Sequence, residues 1–140
     1  MANLERFLKK NKVLKENTYF EATKSLTDED GNPLKWEIRP ITTKLNNELQ
    51  EECIKEVKVG NRVVDKLDVS LYLKKLACKA VVEPNLYNAE LQDSYGVKTP
   101  EDLIEAMIDN PDEYNSLVAF VQSYSGFTET LSQKVDEAKN

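Results

Sequence analysis

The residues able to do chemistry are few, and their spacing assembles no catalytic set. Histidine is absent from all 140 positions, which removes the commonest general base and the usual zinc ligand. Cys53 and Cys78 stand far apart, and a structural zinc site would need two further soft ligands. Both have apolar neighbours and read as buried free thiols. The run Asp28-Glu29-Asp30-Gly31-Asn32 has the composition of a calcium loop. Its glycine is fourth rather than sixth, however, and no glutamate holds the closing twelfth position. With Pro33 next, the run reads as a turn. Glu101 and Asp102 would suit acid–base work only if buried and coupled. Behind Thr99-Pro100 they stand instead at a helix start, where negative charge is favoured. Tyr19, Phe20 and Trp36 would make a stacking platform on a sheet, but no Arg or Lys interleaves them as in a nucleic-acid surface, so core packing is the better reading. No serine has a nucleophile-elbow pattern, and four glycines in all write neither a Walker loop nor a dinucleotide fingerprint. No catalytic, cofactor-binding or metal-binding residues are therefore expected, and neither zinc, calcium, magnesium nor ATP is expected to stabilise the fold.

The elements that would position these residues follow from hydrophobic periodicity. The chain is organised around residues 67–96, which open with a helix over residues 67–82. There Val69, Tyr72, Leu73, Leu76, Ala77, Ala80 and Val81 recur at helical spacing, and Leu71, Cys78 and Val82 widen the stripe. Asp68 caps the start and Pro84 stops the run. A helix apolar on most sides is wrapped by the rest of its domain, so this is the expected core helix and the most buried element.

Before it, Asn3 caps a short amphipathic helix from Leu4 to about Lys10. Residues 18–26 alternate as a strand, and Lys35-Trp36-Glu37-Ile38-Arg39 alternates again, which predicts an antiparallel hairpin. A helix from Thr42 or Thr43 to about Glu56 turns Leu45, Leu49 and Cys53 inward. Residues 57–64 carry Gly60-Asn61 between β-branched runs, which fits a second hairpin or an exposed loop equally.

After the core helix, Asn88 caps a short helix that Gly96 ends. Thr99-Pro100-Glu101-Asp102 opens a helix burying Leu103, Ile104, Met107 and Ile108. Asn110-Pro111-Asp112-Glu113 opens another, presenting Tyr114, Leu117, Val118, Val121 and Tyr124 and ending at Gly126. A last helix from Thr128 carries Leu131, Val135 and Ala138 and is polar for its length, so residues 128–140 are expected to pack loosely. The fold class is α+β: one predominantly helical domain over residues 1–140, with a small antiparallel sheet near the N-terminus.

Hydrophobic residues make up 40% and charged residues 31% of the chain, an ordinary balance for a globular domain. The net charge of −6 argues against general nucleic-acid binding. Residues 1–24 hold six Lys or Arg against three acids, whereas residues 99–115 hold six acids and no base. These read as two solvated surfaces, or as opposite charges able to guide self-association. No apolar run is long enough to span a membrane. Leu4, Phe7 and Leu8 sit among charges, unlike a signal peptide. With two cysteines and no disulfide framework, a reducing cytoplasm is the expected location.

Four segments carry a family likeness. They are Ala2-Asn3-Leu4-Glu5-Arg6-Phe7-Leu8; Trp36-Glu37-Ile38-Arg39-Pro40-Ile41-Thr42-Thr43-Lys44; Asn85-Leu86-Tyr87-Asn88-Ala89-Glu90-Leu91-Gln92-Asp93-Ser94-Tyr95-Gly96; and Gly126-Phe127-Thr128-Glu129 before an acidic helix. In this order and at this length the chain resembles the XkdN-like phage tail assembly chaperones of long-tailed phages and defective prophages of Gram-positive bacteria. The resemblance covers essentially the whole chain and contains no catalytic motif.

That resemblance implies a non-enzymatic role in tail building. Such proteins bind the tape measure protein, keep its long helical chain soluble, help to recruit tail-tube subunits, and are absent from the finished virion. The alternative is a structural tail component, a tube or connector subunit. Phe127, Leu131 and Val135 are the candidate partner-binding residues, set against ordinary packing of the last helix. Removing residues 128–140 would then leave a folded domain and weaken tape-measure binding. Related chaperones are also made in two lengths by a −1 ribosomal frameshift. The closing Ala138-Lys139-Asn140 permits the slippery heptamers A-AAA-AAC and A-AAA-AAU.

Overall fold

The side chains that signal helix starts in the sequence cap those starts in the computed structural model, which describes residues 3–127. Thr42, Asp68, Asn88 and Thr99 each accept the backbone N–H three residues on, at 2.9–3.2 Å. Asn110 accepts two, from Asp112 and Glu113. Each cap satisfies a donor that the first helical turn leaves without a partner. The helices that follow are α2 (Thr43–Glu52), α3 (Val69–Ala80), α4 (Ala89–Ser94), α5 (Pro100–Met107) and α6 (Pro111–Tyr124). Ahead of them lies α1 (Asn3–Phe7), followed by a tight helical turn at Lys9–Asn11.

Among the described residues, five strands complete the α+β fold. β1 (Thr18–Phe20), β2 (Trp36–Ile38) and β5 (Val81–Glu83) form an antiparallel sheet with β2 in the middle. β3 (Ile54–Val59) and β4 (Arg62–Leu67) form a separate two-stranded ribbon. Gly60-Asn61 is its two-residue loop, and the positive φ of 64° at Gly60 puts glycine at the first central position, as a type II′ turn requires.

Trp36 and Ile38 point inward from the central strand, and α3 lies against α2, α5 and α6. Tyr72, Leu76, Ala77, Cys78 and Ala80 of α3 are buried, together with Leu49, Leu103, Ile104, Leu117 and Val121 from its neighbours. Only Ser70 of α3 is exposed. The helix expected to be wrapped by its domain is wrapped.

Several boundaries differ from the sequence reading. The core helix ends at Ala80, so Val82 is an exposed strand residue and not part of the helical stripe. The β-branched pair Val81-Val82, followed by a residue that Pro84 restricts to extended backbone, forms a ladder with β2 instead. α2 stops at Glu52 and not near Glu56, because Ile54–Val59 pairs with β4. The strand expected over 18–26 closes at Phe20. Beyond it, Thr23 is buried and bonded to a helix. The amphipathic helix expected to reach Lys10 is regular only to Phe7. The terminal segment 128–140, with Leu131 and Val135, lies outside the described residues.

Glu113 ties the β1–β2 connection to α6. Its carboxylate accepts the Thr23 hydroxyl at 2.7 Å and the Lys24 backbone N–H at 2.8 Å. The Lys24 amide, and next the Thr23 hydroxyl, hold its pKa below the ordinary glutamate value. A depressed folded-state pKa contributes stability above the unfolded-state value, and that contribution is lost as pH falls through the folded-state value. Glu113→Gln is therefore expected to lower the melting temperature at neutral pH. The gap to wild type should close in acid, and a pH-independent gap would contradict this.

Gln122 is buried on α6, and among the described residues neither its Nε2 nor its Oε1 has a hydrogen-bond partner. An unpaired buried amide costs about 1–3 kcal/mol. Gln122→Met, similar in shape, is expected to raise the urea midpoint. A lowered midpoint would show that the amide is paired in solution.

Candidate interaction surface

The residues with chemical potential are occupied structurally. Asp28 Oδ1 accepts the N–H groups of Asp30 and Asn32 at 2.9 and 3.0 Å, which makes the acidic run a turn. The backbone N–H of Asp102 is capped by Thr99, and Glu101 and Asp102 lie in the first turn of α5. Among the described residues no three His, Cys, Asp or Glu side chains sit so as to hold a metal ion. Trp36 is in the core, and Phe20 stacks on Phe120 at 4.4 Å, which stacks on Tyr124 at 5.8 Å. Tyr19 faces away and is exposed. The three aromatics therefore share no platform.

Cys53 and Cys78 are both buried free thiols. Burial pushes the Cys78 thiol up to about 12 and raises that of Cys53. The thiolate is the reactive form, so native protein at pH 8 is expected to resist a thiol-exchange dye. Two equivalents should react only after unfolding. Rapid labelling of the native chain would contradict the burial.

Among the described residues, a run of exposed apolar side chains lies near the start of the chain. Leu4, Phe7 and Val13 are 73%, 84% and 93% exposed, and Leu8 and Leu14 are exposed with them. α1 buries none of its residues. Arg6, Lys9, Lys10, Lys12 and Lys15 stand among these side chains against Glu5 alone. Residues 3–15 thus form a basic arm with a row of uncovered apolar groups.

The root of the arm is held. Lys15 donates to the Tyr124 carbonyl and its ammonium lies 4.2 Å from the Tyr124 ring centroid. The Tyr124 hydroxyl donates to the Glu16 carbonyl, and Asn17 donates to Glu37 at 2.9 Å. The arm therefore leaves the domain at the end of α6, where Gly126 turns the chain with φ 98° and Phe127, half-buried, donates its N–H to the Gln122 carbonyl.

Of the three partner-binding candidates read from the sequence, Phe127 alone falls within the described residues, and it lies beside this root. The arm itself was legible only as an amphipathic helix. Apolar residues at 4, 7 and 8, then 13 and 14, set among bases, were the signal that the stretch presents a surface. A second apolar feature is a groove of about 400 Å³ lined by Leu26, Leu34, Trp36, Pro84, Leu91 and Tyr95, with Lys35 and Glu83 at its polar margin.

Comparison with known proteins finds one family and relatives over nearly the whole chain. The family model described as phage XkdN-like tail assembly chaperone protein matches residues 4–139. The phage-like element PBSX protein XkdN of Bacillus subtilis (strain 168) is 26% identical over 140 residues, covering 99% of this chain and 94% of that protein. The protein YqbN of the same strain is also 26% identical over 140 residues, covering 99% and 93%. The crystal structure of YqbN superposes with a TM-score of 0.75 at 20% identity, covering 91% of this chain and 98% of that one.

Proposed function

The chain belongs to the XkdN-like family of phage tail assembly chaperones, and on that footing we propose that it binds the tape measure protein and keeps it soluble during tail assembly. Members of this family assist assembly and are not enzymes as a class. The observation that carries the reading is the uncovered row Leu4, Phe7, Leu8, Val13 and Leu14 on a basic arm. Contiguous exposed apolar surface rimmed by charge is what a protein-binding site requires.

A long helical client presents amphipathic segments. Their apolar stripes would bury against Leu4, Phe7 and Leu8, and acids beside those stripes would face Arg6, Lys9 and Lys12. Phe127, with Leu131 and Val135 following in sequence, would extend the surface from the arm's root. Recruitment of tail-tube subunits follows from the same role, as do action in the host cytoplasm and absence from the virion.

Affinity purification of the tagged chain, co-expressed with the tape measure protein of the same phage or prophage, tests the reading. The tape measure protein is expected to co-purify, and mass spectrometry of finished tails is expected to lack the chain. Stoichiometric chain in purified tails would instead favour a tube or connector subunit.

A further inference from the structure

We propose that the outer edge of β3, which pairs with no strand among the described residues, pairs antiparallel with β3 of a second copy, in a register centred on Val57, to make a four-stranded sheet. This goes beyond client binding and uses a different part of the molecule. The β3–β4 ribbon stands apart from the main sheet. Every residue of β3 except Val57 is exposed. An isolated two-stranded ribbon is marginal in water, and an unpaired edge is a template for another strand.

The phase of the ribbon decides which groups that edge offers. A two-residue loop at Gly60-Asn61 makes Val59 and Arg62 the closing hydrogen-bonded pair. Alternation then directs the backbone groups of Val57 and Lys55 to β4 and those of Lys58 and Glu56 outward. At the ribbon's base the Asp68 N–H bonds the Cys53 carbonyl at 2.8 Å, in the same phase.

A two-fold axis perpendicular to such a sheet pairs residues of like phase. Centred on Val57, it sets Glu56 opposite Lys58 of the second copy, and Lys58 opposite its Glu56. Both are outward, hydrogen-bonding pairs. Val57 meets Val57 at the close, non-hydrogen-bonded position. Centring one residue earlier opposes Glu56 to Glu56, and one residue later opposes Lys58 to Lys58. Of these three registers, only the one centred on Val57 makes every charged contact favourable, and it keeps the pairing within β3. Neither Glu56 nor Lys58 has an ion-pair partner among the described residues. On the opposite edge Val63, Asp65 and Leu67 point outward and offer no such complement.

Charge reversal in the full-length chain tests this by sedimentation velocity across a concentration series. Wild type is expected to dimerise reversibly. Glu56→Lys and Lys58→Glu are each expected to weaken association about tenfold, since two cross-strand attractions become repulsions. Combining both substitutions in one chain should restore it, as should mixing the two single variants. Amide exchange at Glu56 and Lys58 should also slow with rising concentration while that at Val59 stays constant. A monomeric wild type, single variants that associate as wild type, or a double variant that fails to recover would overturn the proposal. So would concentration-independent exchange at both amides.

Discussion

Leu76→Ala is expected to lower the free energy of unfolding by about 2–5 kcal/mol, through lost burial and the cavity left behind. Leu76 is fully buried on the helix that touches α2, α5 and α6, so no single neighbour can relax into the space. Domains of this size are stable by only about 5–15 kcal/mol in total. The loss should therefore move a urea midpoint well outside error. Leu73, three residues earlier, is half-buried, and Leu73→Ala should cost less than half as much. A near-wild-type midpoint for Leu76→Ala would mean that α3 is not the centre of the core.

The second large effect concerns function. Leu4→Asp combined with Phe7→Asp is expected to reduce capture of the tape measure protein at least tenfold, because a charge in place of an apolar contact loses its burial and adds a desolvation cost. Neither residue is buried, so the melting temperature should stay at the wild-type value. Unchanged capture would remove the arm from the client-binding surface. A lowered melting temperature would show that the arm packs on its own domain. The two experiments separate a residue that holds the molecule together from residues that the fold leaves uncovered.

The helix starts were legible because their signals are local. Asp68, Asn88, Thr99 and Asn110 are short polar side chains one step ahead of helical periodicity, and each accepts a backbone N–H of the first turn. The core helix was legible for the same reason. Val81–Glu83 was not, since its conformation is decided by pairing with Trp36–Ile38, more than 40 residues earlier in the sequence. The ribbon was half legible. Gly60-Asn61 suits a tight turn, but whether β-branched flanks pair depends on where α2 ends.

The candidate surface was hardest to read. The spacing of Leu4, Phe7 and Leu8 announces an amphipathic helix, yet the same spacing serves a covered face and a free one. Only the fold shows that nothing among the described residues covers it. Leu131 and Val135 remain expectations on a stretch the described residues do not reach, whereas Phe127 lies beside the arm's root. The acidic run at Asp28 shows the converse. Its composition alone admitted a cation site, and its geometry is a turn satisfied by its own backbone.

The most direct measurement is the soluble fraction of the tape measure protein when it is expressed alone, with the full chain, and with the chain lacking residues 3–14. It is expected to be soluble only with the full chain, while the shortened chain itself remains folded by circular dichroism. Equal solubility in all three, or full rescue by the folded, shortened chain, would contradict a chaperone that works through its N-terminal arm.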